Sequence, residues 1–330
     1  MKTSGSANLE GVTALVTGGT GFIGSHLVRL LLERGAPRVV ATSVSGRPGN
    51  AEALRDRVEV VRLDVGDFTD VLRLVEKHRP GTIYHIGAML APACDTNPEA
   101  GIRANALGTY HVLEAARLFG VSRVIFASSM SVFSPTHATT PEIDDCSVTR
   151  PETVYGAAKL FSENLGLCYR RLHGLDYRGL RLPNINGPGT TTHGYLEYVN
   201  KAIEESVAGR AYSIYVEPHV RIPLMHIADA ARAFVELAEA PPEAIRTVNY
   251  TVLGPTPPPT AQELVDAIRA RVPGAKLEFK VDSRISALVD AVGRGPFVDR
   301  YARTEWGWKH RFDLGGIIDS FGRPEAAVAG

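Results

Sequence analysis

The chain of 330 residues and 35.6 kDa is long enough for one large α/β domain or for two smaller ones that share a cleft. Its 44% hydrophobic and 22% charged residues are ordinary for a globular chain, which excludes wholesale disorder and a fibrous repeat. Lys plus Arg and Asp plus Glu balance at 36 each, so the composition gives no basic surface of the kind that binds nucleic acid or an anionic membrane.

Three cysteines without metal-ligand spacing and ten scattered histidines predict a reducing compartment and no metal site. The polar N-terminus lacks the apolar core of a signal peptide, and no apolar run reaches membrane length. We therefore expect a cytoplasmic protein whose partner is a small molecule.

Apolar runs typical of strands alternate with helical patterns through the first half of the chain. Strands are predicted at 12–17, 38–42, 58–63, 82–86, 121–127 and 177–182, and helices at 22–32, 68–78, about 98–119 and about 152–173. This alternation implies parallel β-α-β crossovers and a doubly wound α/β sheet. After Pro183 the elements shorten, so we predict a first domain over residues 1–183 and a smaller α/β lobe over 184–330, some of whose C-terminal segments return to the main sheet.

Residues 17–24 read Thr-Gly-Gly-Thr-Gly-Phe-Ile-Gly and lie between the first predicted strand and the first predicted helix. Glycines there permit a tight turn and let the backbone approach a pyrophosphate, while the helix N-terminus offers free N–H groups to the anion. This position favours a dinucleotide site over a purely structural turn.

The end of the second strand lacks the acidic residue that usually binds the adenosine ribose of NAD. Ser43 stands at that position, and Arg47 follows where it could meet a 2′-phosphate or simply point into water, so we expect NAD without excluding NADP. Asp64, after the third strand, is placed to accept a hydrogen bond from the adenine amino group.

Tyr155 and Lys159 are four residues apart at the start of a predicted helix, so both side chains lie on one face. A nearby cation favours the phenolate and makes Tyr155 a plausible general base. Ser128 and Ser129 close the strand 121–127, at the sheet edge where a substrate alcohol can be hydrogen-bonded.

In this order, the glycine loop, the serine pair and the Tyr-x-x-x-Lys motif resemble the extended short-chain dehydrogenases/reductases, in their NAD-dependent epimerase/dehydratase branch. The resemblance covers nearly the whole chain and implies a Rossmann domain with Ser129, Tyr155 and Lys159 as the catalytic set and Asn105 as a supporting residue. The cofactor contacts that it implies, beside those named above, are Gly18, Thr20, Gly21, Phe22, Ile23, Gly24, Val65, Ile86, Gly87, Ala88, Asn105, Pro183 and Ile185.

Within that branch, the segments 189–195, 218–225 and 306–310 resemble the short-chain-type L-threonine 3-dehydrogenases. The substrate contacts that this implies are Ser128, Ser129, Asn184, Thr190, Thr191 and Arg221, although the threonines could instead only cap a helix that begins near His193. Where those enzymes carry Asp-Ser-Trp-Pro, this chain has 293–296 reading Gly-Arg-Gly-Pro. Either Arg294 binds a larger or more acidic substrate, or it points into water.

The main hypothesis is a dehydrogenase in which the Tyr155 phenolate takes the proton of a substrate secondary alcohol while hydride passes to the nicotinamide. The alternatives are a nucleotide-sugar 4-epimerase that uses the same oxidation transiently, and a non-catalytic dinucleotide sensor. The predicted helices 98–119 and 152–173 carry more apolar residues than one core face needs, and the resemblance implies a homodimer through a four-helix interface.

Overall fold

A seven-stranded parallel sheet organises the protein, whose computed structural model describes residues 12–133, 142–190, 194–293 and 295–322. In its first half the strands are β1 Thr13–Thr17, β2 Arg38–Ser43, β3 Glu59–Arg62, β4 Thr82–His85, β5 Arg123–Ser129 and β6 Asp176–Leu182. The helices of that half are α1 Phe22–Glu33, α2 Phe68–His78, α3 Ala91–Thr96, α4 Pro98–Ile102, α5 Gly108–Phe119 and α6 Val154–His173.

The second half contains shorter strands and a second group of helices. The strands are β7 Asn184–Asn186, β8 Ala211–Ile214, β9 Leu224–His226, β10 Asn249–Thr251 and β11 Lys276–Phe279. The helices are α7 Tyr198–Val207, α8 Ile227–Glu239, α9 Ala261–Arg271, α10 Ser283–Gly293, α11 Arg300–Trp306 and α12 Leu314–Ser320.

The strand order is β3-β2-β1-β4-β5-β6-β10, and every pair in this sheet is parallel. The order reverses between β1 and β4, and this topological switch point is where open α/β sheets bind ligands. The predicted doubly wound Rossmann fold is therefore confirmed.

The described residues contain two large hydrophobic cores and a third, smaller cluster. The larger core packs around the main sheet and includes Phe234 of α8, Tyr250 of β10 and Trp308 from the second half of the chain. The second core joins α7, α9 and the two-stranded β8–β11 sheet, with Ile203 and Leu264 at its centre. The cleft between these two cores opens at the carboxyl edge of the main sheet. The domain bounds 1–183 and 184–330 stay a prediction.

Helix α6, which borders the cleft, begins and ends at residues that are typical of helix caps. Thr153 caps α6 by accepting from the N–H of Gly156, and Gly174 ends this helix with φ of 70°. The predicted helix 98–119 is interrupted by a π-helical turn at Arg103–Leu107. Within the described ranges, no helix is long and apolar enough to cross a membrane.

Candidate active site

A cavity of about 910 Å³ lies at the switch point, between the ends of the sheet strands and the second lobe. Its wall contains Asp64 and Ser43 at the carboxyl ends of β3 and β2, the glycine loop after β1, and the β5–α6 junction, in the order of the strands across the sheet. Most of the sequence-predicted positions line it, namely Gly18, Thr20–Gly24, Ser43, Asp64, Val65, Ile86–Ala88, Ser128, Ser129, Tyr155, Lys159 and Pro183–Ile185.

The glycine loop is packed so closely that side chains would not fit. A Cβ on Gly18, whose φ is 68°, would lie 2.7 Å from the Cα of Gly87, and a Cβ on Gly24 would lie 2.1 Å from the carbonyl oxygen of Gly18. Helix α1 begins directly after this turn, and among the described residues no side chain caps its N-terminus. Open N–H groups facing a cradle without side chains fit the pyrophosphate of a dinucleotide.

A buried threonine and histidine hold the loop against β4. The Thr17 hydroxyl accepts from the N–H groups of Ile86 and Gly87 at 3.1 and 3.2 Å, and it lies 2.7 Å from Nδ1 of His85. The other ring nitrogen of His85 is 3.1 Å from the Thr109 hydroxyl. Burial, aided by the charge of Lys159, lowers the pKa of His85 to about 3, so the imidazole is a neutral structural link.

The adenosine end of the cavity contains Ser43, Val44 and Asp64. Asp64 accepts from the N–H of Gly66 at 2.9 Å and pairs with Arg103 at 2.6 Å, on the cavity wall where a base would lie. The side chain of Arg47 is exposed and outside the wall, while its carbonyl accepts from the Ser43 hydroxyl at 3.3 Å. The main chain of Arg47 thus lies beside the predicted ribose residue Ser43, and a contact of the Arg47 side chain with a 2′-phosphate stays a prediction.

Ser129, Tyr155 and Lys159 meet at the opposite end of the cavity. Ser129 ends β5 and hydrogen-bonds the Tyr155 phenol, and Lys159, one helical turn along α6, has its Nζ 5.5 Å from the centre of the tyrosine ring. Lys159 also donates to the carbonyl of Ala127 at 2.6 Å. These contacts join the end of β5 to the first turns of α6.

Burial perturbs both titrating groups. It raises the pKa of Tyr155 to about 12, against the lowering effect of the Ser129 hydrogen bond. It lowers the pKa of Lys159 to about 7, although Cys94 and Glu163 act in the other direction. A phenol and an amine whose ionisation burial opposes thus lie on one helix face, where a phenolate and an ammonium would stabilise each other, as acid–base catalysis requires.

Comparison with known proteins places this site in a family. The model of the NAD dependent epimerase/dehydratase family matches residues 14–252. The chain belongs to this family. It is therefore an NAD(P)-dependent enzyme of the extended short-chain dehydrogenase/reductase type, and a nicotinamide dinucleotide is its cofactor.

Individual relatives are similar over most of their length. The mitochondrial L-threonine 3-dehydrogenase of Sus scrofa is 31% identical over 313 residues, which cover 92% of this chain and 80% of the relative. The D-erythronate dehydrogenase of Cupriavidus necator is 30% identical over 296 residues, or 85% of this chain and 88% of the relative. The solved holo form of the GalE-like L-threonine dehydrogenase of Cupriavidus necator superposes with a TM-score of 0.84 at 29% identity, covering 94% and 98% of the two chains. The resemblance to threonine dehydrogenases drawn from the sequence is thus confirmed.

The two adjacent serines of the enzyme have different surroundings. Ser129 is half-buried at the cavity, whereas Ser128 is buried and its hydroxyl donates to Glu163 at 2.5 Å. Glu163 also forms a bidentate pair with Arg181 at 2.9 and 2.8 Å. The substrate role of Ser128 stays a prediction, which this hydrogen bond does not favour.

Asn105 acts behind the cavity wall. It lies in the π-helical turn, is 2% exposed, and its amide both accepts from the N–H and donates to the carbonyl of Met89, at 2.8 Å each. Residues 86–92 line the cavity, and Asn105 does not. Its structure fits the supporting role that the resemblance implies better than a direct cofactor contact.

The remaining predicted substrate residues are spread widely. Asn184 lines the cavity, and its amide donates to Asn186 and to the carbonyl of Leu196, each at 3.4 Å. Thr190 is not part of the wall, and Thr191 and Arg294 lie outside the described residues. Arg221 lies away from the cavity, where it bonds the carbonyl of Pro258 and pairs with Glu263 at the start of α9, so a direct substrate contact is not what its geometry favours.

Sequence reasoning missed several parts of the wall. They are Met89–Pro92, Arg103, Ser131, Glu152, Tyr195–Glu197, Asn200, Leu288, Val289 and Ala291. Most come from loops and from α10, whose approach to the sheet depends on tertiary packing. Helix α7 begins at Tyr198, five residues after the His193 of the capping alternative.

Proposed function

We propose that the enzyme is an NAD-dependent dehydrogenase that oxidises the secondary alcohol of a small polar substrate, with L-threonine or a related 3-hydroxy amino acid as the first candidate. The observation that carries this proposal is that Ser129, Tyr155 and Lys159 converge at one end of a cavity that the glycine loop also lines. The same cavity can therefore hold both a dinucleotide and an alcohol.

The chemistry divides among the three side chains. A nicotinamide dinucleotide, when bound, supplies the hydride acceptor. Ser129 binds the substrate hydroxyl, Tyr155 as phenolate accepts the hydroxyl proton, and the Lys159 ammonium stabilises the phenolate from the same helix face. NAD is preferred in this proposal because Thr42, Ser43 and Val44 at the adenosine end are uncharged and Arg47 is outside the wall.

Charge supports a small substrate over a nucleotide sugar. Among the described wall residues the cations are Arg103 and Lys159, the first paired with Asp64 and the second bonded to a backbone carbonyl. Glu152 and Glu197 add negative charge to the wall. A nucleotide sugar brings two more phosphate charges, whereas a 3-hydroxy amino acid is a zwitterion without net charge, whose ammonium these carboxylates favour.

The first experiment denatures freshly purified enzyme and measures released nucleotide by chromatography. Little retained nucleotide is expected, because a dehydrogenase exchanges its cofactor at each turnover. Near-stoichiometric NAD would support the epimerase alternative, and NADP would contradict the proposed ribose site.

The second experiment follows NADH formation with L-threonine, its stereoisomers, 3-hydroxybutyrate and D-erythronate. We expect the 3-hydroxy amino acids to be oxidised faster than the acids without an amino group. Tyr155→Phe should lower kcat by about 10²–10⁴-fold, while Tyr212→Phe, the same change on β8 outside the cavity wall, should not. Nucleotide binding without oxidation of any alcohol, and unchanged cellular function in Tyr155→Phe, would favour the sensor alternative.

We further propose a homodimer through α5 and α6. These helices pack against each other and, with the preceding turn, expose apolar side chains at Leu107, Leu118, Phe161, Leu167 and Leu172. Several exposed apolar side chains on two neighbouring helices are typical of an interaction surface, and this arrangement fits a four-helix interface. Light scattering at micromolar concentration should give twice the chain mass, and Phe161→Glu should give the monomer; a wild-type monomer would overturn this proposal.

A further inference from the structure

The hydroxyl of Ser129 has a second neighbour besides Tyr155. Ser131 lies two residues further on, in a short 3₁₀ turn at Met130–Val132, and lines the same cavity. The Ser129 hydroxyl accepts from the N–H of Ser131 at 3.1 Å and donates to its side-chain oxygen at 3.0 Å. Ser131 thus contacts the catalytic serine through both its main chain and its side chain.

The turn that carries Ser131 is held firmly. Met130 and Val132 on either side of it are buried in an apolar cluster with Phe133 and Phe297. The start of α6 packs directly on its carbonyl, since a Cβ on Gly156 would lie 2.3 Å from the Ser131 oxygen. Ser131 is therefore fixed relative to both β5 and the helix that carries Tyr155.

The hydroxyl groups of Ser129 and Ser131 have enough donors and acceptors to serve both protonation states of Tyr155. A hydroxyl has one hydrogen to donate and two lone pairs to accept with. While Tyr155 is a phenol, Ser129 can accept from it and from the Ser131 N–H, and its own hydrogen goes to the Ser131 oxygen. Once Tyr155 is a phenolate, Ser129 must turn its hydrogen toward that oxygen, and the Ser131 hydroxyl can then donate back to Ser129.

We propose that Ser131 is a positioning residue of the catalytic set, which keeps the Ser129 hydroxyl fully hydrogen-bonded while it donates to the ionised Tyr155 oxygen of the NAD-bound enzyme before an alcohol binds. The two serines reverse their hydrogen bond together and no covalent bond changes between them. Because hydrogen bonds to a charged group are stronger than neutral ones and polarise their neighbours, the pair favours the phenolate over the phenol. This inference rests on the proposed function for its kinetic consequence only.

Other titratable or charged groups around Tyr155 are in place whether or not Ser131 has a hydroxyl. Lys159 lies on the same helix, Glu152 precedes that helix on the cavity wall, and Cys94 approaches from α3. Asp95 of α3 accepts from the N–H of Val154 at 3.3 Å. A change confined to residue 131 leaves all of these groups in the wild-type sequence.

The direct test needs no substrate. Tyrosine labelled with ¹³C at the ζ carbon is introduced into the NAD-bound enzyme, and the Tyr155 resonance is identified as the one that Tyr155→Phe removes. Ser131→Ala should raise the pH midpoint of this resonance by about half a pH unit, and Ser131→Thr should restore it. Ser122→Ala, an exposed serine just before β5, is the matched control and should leave the midpoint unchanged.

Kinetics gives a second readout. If the proposed oxidation is observed, Ser131→Ala should lower kcat about 3-fold below the midpoint and approach wild type above it, with an unchanged KM for NAD. A merely structural role would lower kcat equally at every pH. An identical resonance midpoint in wild type and Ser131→Ala, or no titration of Tyr155 in wild type, overturns the inference, whereas a shifted midpoint without any alcohol oxidation overturns the proposed function alone.

Discussion

Replacing Glu163 by Gln should strongly destabilise the protein, because this carboxylate is buried behind the active site with three donors. It accepts from the Ser128 hydroxyl at 2.5 Å and from two nitrogens of Arg181 at 2.9 and 2.8 Å, and it is 1% exposed. A glutamine amide keeps one acceptor oxygen and turns an NH₂ group toward a guanidinium N–H. Breaking one side of a buried ion pair in this way costs about 3–5 kcal/mol of unfolding free energy.

A double-mutant cycle separates the interaction free energy of the Glu163–Arg181 pair from the effect of lost packing. Arg181→Gln alone leaves the Glu163 carboxylate buried with Ser128 as its remaining donor among these partners, so it should destabilise to a similar degree. In Glu163→Gln with Arg181→Gln, the two amides can pair without a buried charge, and the double variant should be more stable than the sum of the single effects by about 1–3 kcal/mol. Urea unfolding followed by circular dichroism measures all four proteins.

The matched control is Glu52→Gln, which removes one member of an exposed pair with Arg55. Exposed ion pairs of this kind contribute little to the free energy of unfolding, so the unfolding midpoint of Glu52→Gln should equal that of wild type. Additive effects in the cycle, or a Glu163→Gln midpoint indistinguishable from that of the Glu52→Gln control, would show that the network contributes no coupling and refute the reasoning.

Two further predictions follow from steric and electrostatic details. Gly24→Ala should abolish cofactor binding measured by NADH fluorescence, because its Cβ would lie 2.1 Å from the Gly18 carbonyl oxygen. Gly194→Ala, also on the cavity wall, should retain binding, because no atom of the described residues lies within 4 Å of its added Cβ. Normal binding by Gly24→Ala would contradict the close-packed loop. Burial raises the pKa of Asp145 to about 6 from its usual 3.8, so the stability that it contributes is present below pH 3.8 and lost as pH rises through about 6. The free energy of unfolding of Asp145→Asn, measured in urea, should therefore increase relative to that of wild type by up to about 3 kcal/mol between pH 4 and pH 8. A difference between the two proteins that does not change with pH would contradict this.

Local signals explain which elements the sequence predicts well. The bounds of α2 are predicted correctly because Asp67 caps the helix and Arg79, in the left-handed region, ends it just before Pro80. Helix α3 is missed because six residues that include a proline carry no helical period of their own. The π-helical turn at Arg103–Leu107 is invisible to a pattern of apolar residues, since it inserts only one extra residue per turn.

The same distinction applies to the site. The glycine loop and the Tyr155–Lys159 pair are set by spacings of a few residues, so they can be predicted from the chain alone. The pairing of Asp64 with Arg103 and the support of Ser128 by Glu163 join residues 39 and 35 positions apart. Such contacts depend on how helices pack on the sheet, which no local pattern encodes.

The two serines at the end of β5 illustrate what strand geometry alone predicts about the site. Successive side chains of a strand point to opposite faces, so Ser128 and Ser129 at the end of β5 are expected to have different partners. Both serines lie on the cavity wall, but the Ser128 hydroxyl donates to the buried Glu163, whereas the Ser129 hydroxyl bonds the Tyr155 phenol. A further hydroxyl comes from beyond the strand, where the 3₁₀ turn places Ser131 on the cavity wall with its side-chain oxygen 3.0 Å from that of Ser129.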